Sequence, residues 1–333
     1  MMVMDLENNA PDAVLDVEDV VKRFGDVTAN DEVNMRVRPG EVVGLLGHNG
    51  AGKTTLVSQI VGLLRPESGS IKVAGVDAVD RPALARRYAA LQTQGQVPLD
   101  GLTPRMAIEI SGRLRGLSHG DARAAAERLA EELDIGEWLD RRAQLGGEGI
   151  SGGVRRLTAF AMAVVVPTPL VVLDEPTNDV DAARRRLLWD AVRRLADDGA
   201  GVVLVTHNVT EAERVVDELT ILDRGRVVAS GTPAQLHAGS RDLRLEVTLH
   251  PGGGDPTNAG PVPFTVTRRV QAGRRVLLTI GPGDAREAIT WAGGHHDADR
   301  IESYSLTPAT LEDAYLALTA ADLQSEPKEA SHV

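Results

Sequence analysis

The stretch Gly47-His48-Asn49-Gly50-Ala51-Gly52-Lys53-Thr54-Thr55 restricts the fold of this chain more than any other part of it. Its spacing, G-x-x-x-x-G-K-T, follows an apolar run, Val42 to Leu46, and runs directly into an amphipathic segment, Thr55 to Leu64. Such a pattern predicts a buried strand, a glycine loop and a helix, the arrangement that cradles phosphate groups. Gly47, Gly50 and Gly52 let the backbone turn its N–H groups inward around an anion, with Asn49 and Ala51 in the same cradle. The following helix adds its positive end. Lys53 can reach terminal phosphates, and Thr54 a magnesium ion.

Composition narrows the setting. With 333 residues the chain is long enough for two domains, and 42% hydrophobic against 3% aromatic residues makes the core one of Leu, Val and Ala. The absence of cysteine excludes disulfides, thiolate metal sites and a cysteine nucleophile, and it fits a reducing compartment. A net charge of −12 argues against broad nucleic-acid affinity. Six acids and no base precede Lys22, the opposite of a secretory signal. The most apolar stretch, Leu157 to Leu173, is interrupted by Pro167 and Pro169 and is too short to span a bilayer.

Along the chain, Ala13 to Val20 and Val33 to Val37 alternate like half-exposed strands. Phe24, between them, is placed either to stack on a purine or to shield a sheet edge. Gly69 to Gly75 reads as a short strand, Arg81 to Arg87 as a basic helix and Gln92 to Gln96 as a polar loop. Thr103, followed by Pro104, caps a helical insertion that runs to about Leu145. Ser151-Gly152-Gly153 then opens another helix and offers a second set of free N–H donors and a hydroxyl for an anion. Leu170 to Glu175 is a buried strand ending in two carboxylates, at the end of an α/β sheet where ligands bind. Asp174 is placed to hold Mg²⁺ through water, and Glu175 to take a proton from an attacking water. A long helix from Ala182 to Ala196 carries Arg184-Arg185-Arg186, read as a solvated face. Val202 to Val205 is another parallel strand, ending at His207, where a histidine can read a γ-phosphate. Leu219 to Leu222 and Arg226 to Ala229 form a hairpin.

In order, the phosphate loop, Gln94, Ile150 to Val154, Leu170 to Glu175, Asn178 to Asp181 and His207 resemble the full motif set of the ATP-binding cassette (ABC) transporter ATPases. The resemblance covers about residues 13 to 238. It implies an α/β P-loop NTPase fold, with a RecA-like core, an antiparallel β subdomain and a helical subdomain at about 95 to 150. Carried over by position, Phe24 resembles the aromatic that stacks on adenine, and Gln94 the glutamine that touches Mg²⁺ and senses a membrane partner. Glu175 resembles the general base, Asp181 the aspartate that crosses a dimer interface, and His207 the γ-phosphate histidine. The resemblance implies ATP and Mg²⁺ as ligands, and a head-to-tail dimer in which Ser151 of one subunit faces Lys53 of another. Three departures or ambiguities stand out. Ile150 and Val154 replace the Leu and Gln usual at the ends of the signature, and His48 stands where Pro is more common. Gln92, Gln94 and Gln96 compete for the sensing position, and a count of nine residues back from Thr103 selects Gln94.

Beyond 238 the composition changes. Leu243 to Leu249 alternates like a strand, and Val266 to Val270 with Arg275 to Ile280 makes a hairpin. A helix at Asp284 to Trp291, a strand at Ile301 to Leu306 and a last helix at Pro308 to Leu318 complete a small α+β domain over 239–322. His295 and His296 are assigned to a loop rather than a metal site. Residues 1–12 and 323–333 read as disordered tails. The ending Thr307 to Leu316 resembles that of daunorubicin-resistance-type exporter ATPases. This implies export of drug-like or other hydrophobic substrates, a second ATPase subunit (identical or homologous), a separately encoded membrane permease and a place on the cytoplasmic face of the membrane. No nucleic-acid partner is expected. The alternative, a soluble ABC ATPase acting on nucleic acid or ribosomes, lacks a second cassette and a coiled-coil insertion in this sequence.

Overall fold

In the computed structural model the described residues are 12–95, 97–144, 149–238, 242–258 and 260–309. A hairpin opens the chain: β1 (Leu15–Phe24) and β2 (Val27–Val37) turn through Gly25, whose φ of +58° suits a tight hairpin. Then come β3 (Val42–Leu46), α1 (Lys53–Ile60), β4 (Ser68–Val73), β5 (Val76–Asp77), α2 (Pro82–Ala85) and β6 (Ala89–Gln92). Three helices follow, α3 (Pro104–Leu114), α4 (His119–Glu132) and α5 (Gly152–Val164). Next are β7 (Leu170–Asp174), α6 (Ala182–Asp197), β8 (Gly201–Thr206), α7 (Val209–Ala212), β9 (Glu218–Asp223) and β10 (Arg226–Gly231). The chain divides after Gly231. The second unit holds α8 (Pro233–Ala238), β11 (Leu243–Leu249), β12 (Val266–Ala272), β13 (Arg275–Ile280), α9 (Ala285–Asp297) and β14 (Ile301–Pro308).

In the first unit, β3 sits inside six strands ordered β10-β9-β3-β8-β7-β6, parallel to its neighbours β8 and β9. Every residue of β3, β7 and β8 is buried, which is why these strands read as unbroken apolar runs rather than alternating ones. Register places Leu46 level with Thr206, and Val205 level with Asp174. The phosphate loop, the paired carboxylates and His207 therefore leave the sheet along one rim. A separate antiparallel sheet, ordered β2-β1-β4-β5, packs its apolar face with α1 and β3 into one core that includes Leu15, Val33, Leu56 and Ile71. In the second unit, four antiparallel strands ordered β12-β13-β11-β14 and α9 enclose a core of their own, including Leu245, Val247, Leu278 and Ala292.

Several sequence expectations need correction. The first strand does not stop at Val20 but continues to Phe24. A bulge with Asp19 at φ +49° shifts its register, so the alternation that marks a strand is lost halfway. The second strand begins at Val27 rather than Val33. The basic helix is a single turn, Pro82–Ala85, and the segment after it is the edge strand β6, which takes Gln92 out of the loop and into the core. His295 and His296 lie in the last turn of α9, not in a loop, because that helix continues to Asp297. Pro308, expected to start a helix, ends β14, paired with Leu243. Ala309, next in that expected helix, instead donates its N–H to the Asp242 carbonyl at 3.0 Å, and residues 310–318 of it lie outside the described residues, as do both tails apart from Asp12, and Gln96.

Candidate functional site

A cleft of about 630 Å³ opens at the rim where β3 and β7 end, lined by Asn49, Gly50, Gly52, Lys53, Thr54, Thr55, Gln94, Asp174 and Glu175 together with Val27, Thr28, Ala29 and Arg224. The loop at its base fits only glycine at two places. A Cβ on Gly52, whose φ is +105°, would stand 2.1 Å from the Ala29 carbonyl oxygen, and one on Gly47 would stand 2.4 Å from that of Leu222. Lys53 is buried, and its Nζ donates to the carbonyls of Gly47 at 2.6 Å and His48 at 3.0 Å. The ammonium is thus held inside the ring of backbone that its sequence position predicts. Burial lowers its pKa, against the pull of Glu175 and Asp174.

Two carboxylates close the other wall. Burial and the neighbouring Glu175 push the Asp174 carboxyl above its usual range, while Lys53, Arg156 and the Gln94 N–H work the other way. Glu175 has φ +49° and is held at three points. Its Oε2 accepts from the Thr206 hydroxyl at 3.2 Å, its Oε1 accepts from the His207 N–H at 3.0 Å, and the His207 Nδ1 lies 2.6 Å from the same oxygen. His207 is thereby joined to the site through Glu175; its ring is exposed and does not line the cleft.

The other predicted residues separate. Of the competing glutamines, Gln94 faces the cleft, whereas Gln92 is buried and donates to the Arg156 carbonyl at 3.3 Å. Phe24 is half exposed, with the Lys22 Nζ 5.3 Å from its ring centroid, and lies outside the cleft lining. Ser151 caps α5, accepting from the Val154 N–H at 3.3 Å, and is exposed. A Cβ on Gly153 would come within 2.6 Å of the Asp179 carbonyl oxygen, so this glycine also lets α5 pack on the turn before α6. Gly152 lies beside Asp179 as well, and none of residues 151–153 reaches the cleft around Lys53. Asp181 caps α6, accepting from the N–H groups of Ala183 and Arg184, each at 3.1 Å; the Arg184 N–H and guanidinium hold its carboxyl below the usual range.

Sequence reasoning missed four contributors. Asn30, fully buried, donates to the Gly52 carbonyl at 3.3 Å. Arg224 lines the cleft from the turn between β9 and β10. Arg155 and Arg156 are buried in α5. Arg155 pairs with Asp100 at 3.4 Å, and Arg156 donates to the Thr93 carbonyl at 3.1 Å. The arginines left a signal: two charges in the first turns of an otherwise apolar helix are costly without partners. Asn30 and Arg224 left none, since their partners are distant in sequence.

Residues 30–178 match the sequence model of the family described as ABC transporter. Among curated relatives, the daunorubicin resistance ATP-binding protein DrrA3 of Streptomyces coeruleorubidus is 34% identical over 313 residues, covering 93% of this chain and 97% of that protein. The Nod factor export ATP-binding protein I of Mesorhizobium japonicum is 32% identical over 320 residues, with 95% and 90% covered. A solved structure described as the ATP binding subunit of an ABC transporter superposes with a TM-score of 0.62 at 29% identity, over 68% of this chain and 92% of that one. The likeness to the two curated relatives covers more than nine-tenths of the chain, whereas the family match lies within the first unit. The chain belongs to the ABC transporter family, as an ATP-binding subunit that hydrolyses ATP to drive transport.

Proposed function

We propose that two such subunits, identical or homologous, close head to tail over ATP and so drive a separate membrane-spanning partner that exports hydrophobic, drug-like molecules. The observation that carries this reading is the division of the phosphate-binding groups. Lys53 and the glycine loop face the cleft, while Ser151 and its helix start lie exposed and outside it. A single chain grips the nucleotide from one side, and the serine serves a nucleotide held by the partner copy. Within each cleft Lys53 meets the terminal phosphates, and Glu175 takes the proton of the attacking water. His207 and Thr206 hold that carboxylate in place.

Thr54, Gln94 and Asp174 present a hydroxyl, an amide oxygen and a buried carboxylate to the same cleft, an all-oxygen set that suits a hard divalent cation. We assign them to Mg²⁺, which, when bound, offsets the charge on the β- and γ-phosphates. Phe24 is assigned to the adenine.

The membrane partner's place is argued from α3. Met106, Ile110 and Leu114 form an exposed apolar stripe, with Leu114 83% exposed, beside a groove of about 410 Å³ lined by Gln92, Thr93, Ser111, Leu114 and Met162. The segment 92–94 touches the groove at one end and the cleft at the other, a short path from nucleotide to partner. No helix among the described residues is long and apolar enough to cross a membrane, in keeping with a peripheral place on the cytoplasmic face. Export rather than import rests on the names of the relatives, and neither of them is named for a nucleic-acid or ribosomal role. The test is Glu175→Gln, which keeps shape and removes the base. In saturating ATP it should double in mass by light scattering, and a protein that stays monomeric under those conditions would count against closure.

A further inference from the structure

Arg156 lies in the second turn of α5 and is buried, only 7% exposed. Unlike Arg155, which pairs with Asp100, it has no carboxylate within ion-pair distance among the described residues. A buried guanidinium without a carboxylate is costly, and an apolar side chain of similar volume in its place is often neutral for stability. Packing therefore does not explain the arginine. Its hydrogen bonds do, because they tie two pieces of chain together. Nη1 donates to the Thr93 carbonyl at 3.1 Å, and the Arg156 carbonyl accepts from Nε2 of Gln92 at 3.3 Å. These bonds run in opposite directions between the same two segments, so residues 92 and 93 cannot slide along α5 without losing one of them. Gln92 keeps its bond although its Oε1 is buried with no hydrogen-bond partner; the flipped amide would set that oxygen against the Arg156 carbonyl.

The tied segment leads directly into the nucleotide cleft. Gln92 is level with Leu173 in the β6–β7 ladder, so the chain leaves the sheet beside Asp174, and the Gln94 N–H donates to that carboxyl. Beyond Gln92 the strand ends, and Thr93 and Gln94 are exposed. Sheet bonding no longer sets their place, and the tie to Arg156 does. Gln94, the next residue, lines the cleft with Lys53, Thr54 and Asp174.

We infer that Arg156 is a positioning residue for the cation site: by clamping residues 92 and 93 to α5 it holds Gln94 where its side chain serves Mg²⁺ beside Thr54 and Asp174. This rests on the assignment of those three residues to Mg²⁺. The arginine touches neither nucleotide nor cation, and its effect passes through the backbone of one residue, Thr93, to the next.

The experiment measures the affinity of a non-hydrolysable ATP analogue for the full chain, once with magnesium and once with a chelator, and reads the ratio. Magnesium should tighten binding to the wild type. Arg156→Met keeps the volume and removes the donor, and it should lose roughly tenfold of that gain. Its metal-free affinity should stay at the wild-type value, since Lys53 and the glycine loop are untouched. Gln94→Ala should lose the gain to a similar extent. The double variant should lose hardly more than Gln94→Ala alone, because the arginine acts through the glutamine. Gln92→Met, which removes the second tie and keeps the arginine, should show a smaller loss in the same direction, and it carries the comparison should Arg156→Met not fold. Losses that add in the double variant, a metal-free affinity that falls along with the magnesium-bound one, or a full magnesium gain in Arg156→Met or in Gln92→Met would each overturn the clamp. A wild type indifferent to magnesium, or a Gln94→Ala variant that keeps the whole gain, would instead overturn the cation assignment, and the clamp with it.

Discussion

Lys53 and Asp174 are opposite charges in one cleft, and burial acts against both of them. Asp174 has a folded-state pKa above its ordinary 3.8, so the folded protein holds its proton more tightly than the unfolded chain. Its contribution therefore becomes unfavourable as pH rises from that ordinary value through the raised one, and the full cost is present at neutral pH. Lys53 has the opposite shift and the same consequence at neutral pH: its folded pKa is lowered, so its burial costs stability in full below that lowered value, and the cost fades only as pH rises from there to the ordinary 10.5. These buried charges are thus held at a cost that ligand charge offsets, as expected where stability gives way to activity. Asp174→Asn, which keeps an acceptor for the Gln94 N–H, should raise the melting temperature of the nucleotide-free protein at neutral pH while abolishing ATP hydrolysis. The gain should fade as pH falls toward the ordinary aspartate range, and a lower melting temperature at neutral pH would contradict the reading. Much of this residue-level chemistry was legible in sequence: the glycines, Lys53, Gln94 and the two carboxylates meet where their motifs predict. What the motifs hide is local bonding, such as His207 docking on Glu175, because a motif names a residue and not its contacts.

At the scale of elements, the join between α6 and the helical insertion rests on Arg184. Its Nε donates to the Asp134 carbonyl at 2.9 Å, its Nη2 lies 3.1 Å from the Asp134 carboxylate, and its guanidinium carbon lies 4.4 Å from the ring centroid of Trp138. With Nη1 also on Asp181 at 2.9 Å, this side chain is only 21% exposed. The arginine run is therefore not the solvated face that charge pattern suggests; Arg184 and Arg185 are half-buried and Arg186 alone is exposed. The reason is non-local. Asp134 and Trp138 come from the turn that follows α4, some fifty residues earlier, and nothing within the run announces them. Arg184→Ala should cost about 1–2 kcal/mol, from the lost charged hydrogen bonds and cation–π contact, read as a lower urea midpoint. Arg184→Lys should recover little, since an ammonium cannot fork between two partners. An unchanged midpoint in Arg184→Ala would show that the join does not depend on this side chain. Element boundaries failed for a similar reason: β1 was cut short at its bulge, where pairing with β2 and β4 continues but alternation does not.

At the scale of the molecule, the chain divides after Gly231 and each unit has a core of its own. The parallel core of the first was legible because strands buried on both faces leave continuous apolar runs, and those runs end in the motif residues. The second was legible in outline from alternation in β11 and β13, but the helix α9 was underestimated. Gly293 and Gly294 interrupt its sequence as a stop signal would, while Tyr304 of β14 packs against His296 in its last turn and Trp291 packs on His295 within the helix. Because each unit buries its own apolar side chains, each should have its own unfolding transition, and a ligand that binds one should raise only that one. Calorimetry with and without saturating ATP should then show one transition moving and one fixed. Leu278→Ala, at a site 1% exposed in the second core, should lower the fixed transition by the equivalent of about 2–5 kcal/mol. The ATP-sensitive transition should stay where it was. If the substitution lowered both together, the two units would be one cooperative body, and ATP closure in the first would be felt directly by the second.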